Sequence, residues 1–469
     1  MRKNGKQQKR GGSKQLNLFA DPTQPTNRLV SGTDQVGLSG VELLSQLEKQ
    51  RTLTGNLLEK VVAYENLHTA IQRVIKNRGN AGVDQMEAKD LGAWLQKHVH
   101  SFGSEVLKER YQVHFVRKAI IRKIDGGERL LGIPTVKDRM LQQSIHQVLN
   151  IYYDPLFSDS SFGFRRGRTA HQAIGQSCDY IKSGKEWVVD IDLEKFFDKV
   201  NHDRLMQRLS KGIGDKRLLR LIKSYLRAGI MSEGLVEQRT AGTPQGSPLS
   251  PLLSNIVLDE LDKELERRGH SFCRYADDCN IYVKSRKAAE RVMSSLIKFI
   301  EQKLKLKVNR KKSGVRHCSE VKFLGYTLLP EGNVRISDTS IKRLKDKVRM
   351  ITKRNRGVKF EQVIEELNRV IIGWSNYFRL ANRWLSDLRA IDGWIRRKLR
   401  CYRLKQCGRK YTVFKFLRSL GIPENTSWNV VMYSQGWWAM SLKQAVGKAM
   451  GLKWFAQYGL QSLQLRIAR

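Results

Sequence analysis

From residue 41 to residue 76 apolar residues recur at helical spacing, Leu43, Leu44 and Leu47, then Leu57, Leu58, Val61 and Val62, until a break at Gly79 to Gly82. The folded chain therefore opens on helices. Between about residues 110 and 335 the pattern changes to short β-branched or aromatic runs separated by longer helical stretches. The runs are Val113 to Val116, Trp187 to Ile191, Phe272 to Tyr275, Asn280 to Val283 and Phe323 to Leu328. This alternation predicts an α+β fold. One helix stands out: Leu249, Leu252, Leu253, Ile256, Leu261 and Leu265 share a face, and Gly269 sits where a C-terminal cap belongs. From Ile341 to Ser419 only helical spacing remains, in three groups: Ile341, Leu344, Val348, Ile351; Val363, Leu367, Val370, Ile371, Trp374; and Leu385, Leu388, Ile391, Ile395, Leu399. Three helices are predicted there.

These shifts divide the chain into a flexible arm (residues 1–40), a helical extension leading into the next region (41–110), an α+β region (111–335), a helical module (336–419) and a last small segment (420–469). Composition changes what each piece is for. The 469 residues carry 86 Lys and Arg against 45 Asp and Glu, a formal charge of +41, with 40% hydrophobic residues. So apolar a chain can bury real cores, and so large a positive charge on a folded protein points to a polyanion, nucleic acid before an anionic membrane. Residues 341–419 alone hold 23 Lys and Arg against 6 Asp and Glu, which favours a phosphate-binding face over an ordinary bundle with solvated cations. The arm carries Arg2, Lys3, Lys6, Lys9, Arg10 and Lys14 before its first acid at Asp21, and reads equally as a contact arm or a solvated tail. Trp428, Trp437, Trp438 and Trp454 read as core residues before stacking ones.

No apolar run is long enough to cross a bilayer, and Met1 to Ala20 lacks the apolar core of a secretory signal, so a cytoplasmic, nucleoid-associated protein without a membrane partner is expected. Six cysteines with no Cys-x-x-Cys pair indicate neither a disulfide scaffold nor a zinc knuckle. The ninth and last histidine is His317, which argues against a His-based nuclease or zinc site beyond it.

The candidate chemistry lies at Tyr275-Ala276-Asp277-Asp278, an acidic pair between two apolar strand-like runs. Asp is common in turns for backbone reasons. Here, however, two adjacent carboxylates cost repulsion that bound Mg²⁺ would relieve. A second strand end, Trp187 to Asp198, delivers Asp190 and Asp192 on one face by its period of two. Phosphoryl transfer to a 3′-hydroxyl needs hard oxygen ligands from at least two segments around two metal ions, and these segments supply them.

With these motifs in hand, the chain from about residue 57 onward resembles the reverse transcriptases and maturases encoded by bacterial group II introns, of the endonuclease-lacking, class IIC-like branch. The resemblance is carried in order by Leu131-Gly132-Ile133-Pro134-Thr135-Val136-Lys137-Asp138-Arg139, Ser161-Phe162-Gly163-Phe164-Arg165-Arg166-Gly167-Arg168, Gly242-Thr243-Pro244-Gln245-Gly246-Ser247-Pro248-Leu249-Ser250-Pro251, the Tyr275 to Asp278 tip, and Phe323-Leu324-Gly325-Tyr326. It implies a right-hand fingers and palm fold followed by a helical thumb or maturase domain and a small DNA-binding-like segment. It also implies a catalytic set of Asp192, Asp277 and Asp278, with the Leu193 carbonyl as a further ligand, around two Mg²⁺ ions for which Mn²⁺ can substitute. Asp277 is the firmer ligand of its pair; Asp190, two residues early for the pattern, takes a supporting role.

Further roles follow from the same resemblance. Lys123 and Arg129, in a Gly-rich hairpin, bind the incoming deoxynucleoside triphosphate, as do Gln245 and Gly246, and Lys312 near the phosphates. Phe196 forms the aromatic floor that excludes a 2′-hydroxyl, with Phe197 taking that duty if Phe196 belongs to the core. Arg165, Arg166 and Arg168 touch the template. Lys342, Arg343, Lys345, Arg396, Arg397 and Lys398 on the thumb grip nucleic acid. The partners implied are group II intron RNA, an RNA template with a DNA primer, and target DNA, with a homodimer left open. The expected function is an RNA-directed DNA polymerase that also assists splicing of its intron. Two alternatives stand beside it: a maturase acting only as an RNA-binding splicing factor, and a free-standing or defence-associated reverse transcriptase.

Overall fold

A computed structural model describes residues 54–122, 128–232, 235–237, 242, 246–383 and 386–467. They divide into two compact units, one ending at Asn333 and the other starting at Val334.

In the first unit two four-stranded sheets are formed by β1 (Val116–Arg122), β2 (Glu128–Ile133), β3 (Trp187–Asp192), β4 (Ile230–Ser232), β5 (Leu235–Glu237), β6 (Ser271–Tyr275), β7 (Asp278–Val283) and β8 (Gly314–His317). One sheet has the order β2-β1-β4-β5 and the other β6-β7-β3-β8. The second positions the site, because its two central strands are the acidic ones. In β3 buried Val189 and Ile191 share one face and Asp190 and Asp192 the other, which pins the register, since a slip of one residue would turn the carboxylates to the apolar side. Beside this sheet, the helix Ser250–Arg267 buries Leu252, Leu253, Ile256, Leu258, Leu261 and Leu265 in a core shared with Phe272 and Ile281. Gly269 closes it at φ +70, a left-handed value that costs glycine nothing, with its N–H bonded to the Glu266 carbonyl at 2.8 Å.

The N-terminal helical stretch is two helices, Leu57–Val62 and Tyr64–Lys76, because Ala63 leaves the helical region at ψ 135. Residues 41–53 of that expectation lie outside the described residues. The strand expected at Val113 to Val116 starts only at Val116 and runs on to Arg122, and the run Phe323 to Leu328 is folded on itself. There Leu324 and Gly325 take positive φ, so Lys322–Phe323 and Tyr326–Leu328 form a tight antiparallel pair instead of one strand.

The second unit is helical after a short strand at Val334–Ile336. Its main helices are Asp338–Ile351, Phe360–Tyr377, Ser386–Cys407 and Lys410–Ser419, four where three were expected, because Gly408 at φ +73 breaks the last basic stretch into a new helix. Leu344, Val348, Val363, Leu367, Ile371, Leu388, Ile395 and Leu399 are buried, the apolar faces read from the periodicity. Buried Asp392 accepts from the backbone N–H groups of Leu463 (3.0 Å) and Gln464 (3.2 Å), tying the terminal helix Leu463–Ile467 to this unit. Of the four C-terminal tryptophans weighed as core, only Trp454 is buried; Trp428 and Trp438 are at the surface. Among the described residues no helix is long and apolar enough to cross a membrane.

Candidate active site

Strands β3 and β7 pair antiparallel with Asp192 opposite Asp278 and Asp190 opposite Asn280. Directly paired residues point to the same face, so three carboxylates and an amide share one patch of sheet. The β6 and β7 hairpin closes through Ala276 and Asp277, with Ala276 left-handed at φ +59. An alanine there costs of order 1 kcal/mol or more, and the surroundings must hold it.

They do so from beneath. Fully buried Arg274 donates to both oxygens of equally buried Asp262, to Asn255 Oδ1 (3.0 Å), to the Ala276 carbonyl (2.9 Å) and to Ser161 Oγ (2.7 Å). Gly163 lies so close that a Cβ on it would meet the Ala276 nitrogen at 2.2 Å, and its carbonyl accepts from Asn255 Nδ2 at 2.9 Å. The Ser161 to Gly163 segment of the arginine-rich motif is thus the bed of the acidic turn.

Asp192 is fixed through its backbone. Its N–H donates to Ser313 Oγ at 2.8 Å, and its carbonyl accepts from Asn309 N–H at 2.9 Å and from the Ser313 hydroxyl at 3.2 Å. The next residue, Leu193, faces Val308 in a bridge whose two bonds run from Glu194 N–H to the Lys307 carbonyl and from Asn309 N–H to Asp192, leaving the Leu193 carbonyl out of the ladder. Lys312 Nζ stands 3.5 Å from Asp192 Oδ2. Asp190 pairs with Arg316, whose guanidinium lies over Gly314 and also donates to the Lys312 carbonyl at 2.8 Å. Burial raises the Asp190 carboxyl despite that partner. Burial first, then the charges of Asp190, Asp277 and Asp192, push Asp278 well above the ordinary carboxylate range. Asn280, 1% exposed, has neither amide atom bonded.

Among the described residues no three His, Cys, Asp or Glu side chains are gathered at metal-binding spacing. The donor set nevertheless fits a hard divalent cation: oxygen only, crowded enough to strain Asp278, and already drawing the Lys312 ammonium to Asp192.

The remaining residues fall variously. Phe196 is buried in the core at 2% exposure, whereas Phe197, edge-on to it at 5.3 Å, is only partly buried. Arg165 is not a surface contact either. It is buried and spends its donors on Asp154 and on the Ser158 and Ser161 carbonyls, bracing the motif from inside. Arg166 is exposed, and Arg168 is paired with Asp159. Lys123 and Gln245 lie outside the described residues, as does the side chain of Arg129, whose backbone pairs with Ile121. Gly246 is exposed at φ +107. Upstream of it Gly242 packs on the Asp198 backbone and is held by buried His202, whose Nε2 is 2.6 Å from the Gly242 carbonyl. In the second unit Lys342 and Arg343 are exposed and Lys345 half-buried; Arg397 lies 3.6 Å over the Trp438 ring, with Lys398 at 4.9 Å and Arg396 half-buried. Sequence reasoning missed Arg274, Ser313, Arg316 and His202 as supports of the site.

A reverse transcriptase (RNA-dependent DNA polymerase) family model matches residues 121–328, and a group II intron, maturase-specific domain model matches residues 341–421. Protein YkfC of Escherichia coli (strain K12) is 30% identical over 328 residues, 60% of this chain and 86% of YkfC. The group II intron-encoded protein LtrA of Lactococcus lactis subsp. cremoris is 27% identical over 333 residues, 57% of this chain and 54% of LtrA, so the chain spans about half of that relative. A chain of a partial Cas6-RT-Cas1--Cas2 complex is 31% identical, covering 53% of this chain and 43% of that one at a TM-score of 0.34. The protein belongs to the group II intron reverse transcriptase and maturase family. Its acidic hairpin falls inside the RNA-dependent DNA polymerase match and its four main C-terminal helices inside or across the maturase match.

Proposed function

We propose that the chain copies its own group II intron RNA into DNA during retrohoming and assists splicing of that RNA, using deoxynucleoside triphosphates on an RNA template with a DNA primer. The observation that carries the proposal is Asp192 opposite Asp278 beside the Asp277 turn, with Lys312 at the same carboxylate. Asp192, Asp277, Asp278 and the Leu193 carbonyl would hold two Mg²⁺ ions. Bound there, the ions would supply the positive charge that favours the 3′-oxyanion and the departing pyrophosphate. The protein's own part is positioning. The Arg274 network sets the turn, Ser313 and Asn309 set Asp192, Lys312 offers its ammonium to nucleotide phosphate, and Phe197, the less buried ring of the pair, takes the aromatic floor. Arg166 and the cations of the second unit bind template, intron RNA and target DNA through phosphates.

The test is extension of a DNA primer on an RNA template by the purified chain. The expected result is Mg²⁺-dependent extension with deoxynucleotides and very little with ribonucleotides. A folded chain that binds intron RNA but extends nothing would instead favour the splicing-only reading.

The Asp190 and Arg316 pair gives a sharper expectation. By holding the Lys312 carbonyl, Arg316 presents Lys312 to the site. Arg316→Ala should raise the KM for deoxynucleotide about 10-fold, the loss of one charged hydrogen bond at roughly 1.5–3 kcal/mol, with less effect on kcat. In the double variant with Lys312→Ala the two losses should not add, because they remove one device. Additive losses would mean that Arg316 acts independently of Lys312.

A further inference from the structure

The helix Lys410–Ser419 buries Val413 and Leu417 and directs Tyr411, Phe414, Lys415 and Arg418 to another side, at spacings of three, four and seven residues. Phe414 lies flat on Trp428 of the helix Glu424–Met432, with ring centroids 4.2 Å apart and planes 19° apart. Tyr411 continues the series at 6.1 Å and 18°. Elsewhere in this unit the rings packed into the core meet tilted or edge-on, Phe360 with Trp454 at 41°, Trp454 with Tyr458 at 52° and Phe360 with Tyr458 at 86°. The parallel series is also unlike a core in its exposure: Tyr411 is 56% and Trp428 36% exposed, and Met432 and Tyr433 beside Trp428 in sequence are more than half exposed.

Charge narrows what could cover these rings. From Gly393 to Arg469 the sequence has 15 Lys and Arg and one acid, Glu424. Lys415 Nζ sits 4.8 Å from the Tyr411 ring, and Arg409 and Lys410 are exposed at the start of the same helix. Arg418 is committed to the Ile422 carbonyl at 2.9 Å and serves the scaffold. An acidic protein would match the charge but would gain nothing from parallel ring planes, whereas an unpaired nucleic-acid strand offers both phosphates and flat bases.

We infer that Tyr411, Phe414 and Trp428 form a stacking platform for the bases of single-stranded nucleic acid, with Arg409, Lys410 and Lys415 on its phosphates. The inference rests on the nucleic-acid reading proposed above and adds a site and a strand state to it: this face takes unpaired nucleotides, not duplex. Bases would extend the series from the open Trp428 face.

The test is equilibrium binding of the full chain to fluorescein-labelled oligo(dT) and oligo(rU) of about 20 nucleotides, longer than the roughly 4–16 nucleotides typical of one such site, and to a DNA duplex of matched length. Trp428→Ala should weaken single-strand binding about 10-fold, within the roughly 1–3 kcal/mol of one stacked base, leaving the salt slope and duplex affinity unchanged. Trp428→Phe should bind nearly as the wild type. Lys415→Ala should instead reduce the salt slope by about 1. Comparison of oligo(dT) with oligo(rU) shows whether DNA or RNA is the strand held. Unchanged single-strand affinity in a folded Trp428→Ala chain overturns the platform and leaves the patch to a protein partner. Equal weakening of duplex and single strand overturns it too, as a loss of general structure. A wild type that binds none of the probes overturns the underlying nucleic-acid reading itself.

Discussion

Asp277→Ala should abolish primer extension, lowering the rate by roughly 10³-fold or more, since the charge held by such ligands is worth several kcal/mol to the transition state. A second readout separates the metal from the chemistry. Wild-type chain should gain thermal stability as Mg²⁺ is added, because an ion that binds only the folded state stabilises it by mass action. Asp277→Ala should lose that gain while keeping its metal-free midpoint. The physical reason lies in the crowding at the tip: Asp278 is raised by burial and by three neighbouring carboxylates, so the metal-free site is strained and an ion relieves it. Loss of extension with the Mg²⁺-dependent midpoint shift intact would place the ion elsewhere and remove Asp277 from the ligand set.

That tip was legible in the sequence because its signals are local. Short apolar strand-like runs on either side of Ala276 and Asp277 announce a hairpin, and adjacent carboxylates at its end announce a cation. Helix Ser250–Arg267 was equally plain from its shared apolar face and its capping glycine. What holds the tip was not legible, because its bonds join residues far apart in the chain. Ser313 reaches Asp192 across 121 positions, Arg316 reaches Asp190 across 126, and Arg274 reaches Ser161 across 113. No spacing rule encodes such pairs. Phe196 and Phe197 show a different limit: they sit in a helix of four residues, too short for periodicity to say which ring turns inward. The tryptophans show a third. Trp454 stands between Lys453 and Phe455 and Trp428 between Ser427 and Asn429, contexts that would favour a surface place for the first as much as for the second, and only the packing of helices decides that Trp454 is core and Trp428 surface.

Arg274 is the residue on which fold and function meet, and its replacement separates them. Arg274→Ala leaves Asp262 charged, fully buried and unpaired, which should cost roughly 3–5 kcal/mol and lower the midpoint of unfolding. Loss of activity in that variant would therefore say little, since the whole unit is weakened. The paired replacement Arg274→Met with Asp262→Leu removes both charges together, and swaps of this kind are often neutral or stabilising. It should recover most of the lost stability. Extension should stay low, because methionine donates nothing to the Ala276 carbonyl or to Ser161 Oγ, and the left-handed residue ahead of Asp277 is then free to relax. Thermal unfolding and primer extension measured on the same preparations decide the matter. If the paired variant regains both, Arg274 serves only to neutralise Asp262; if it regains stability alone, Arg274 is a positioning residue for the acidic turn, acting through one backbone carbonyl beneath the site.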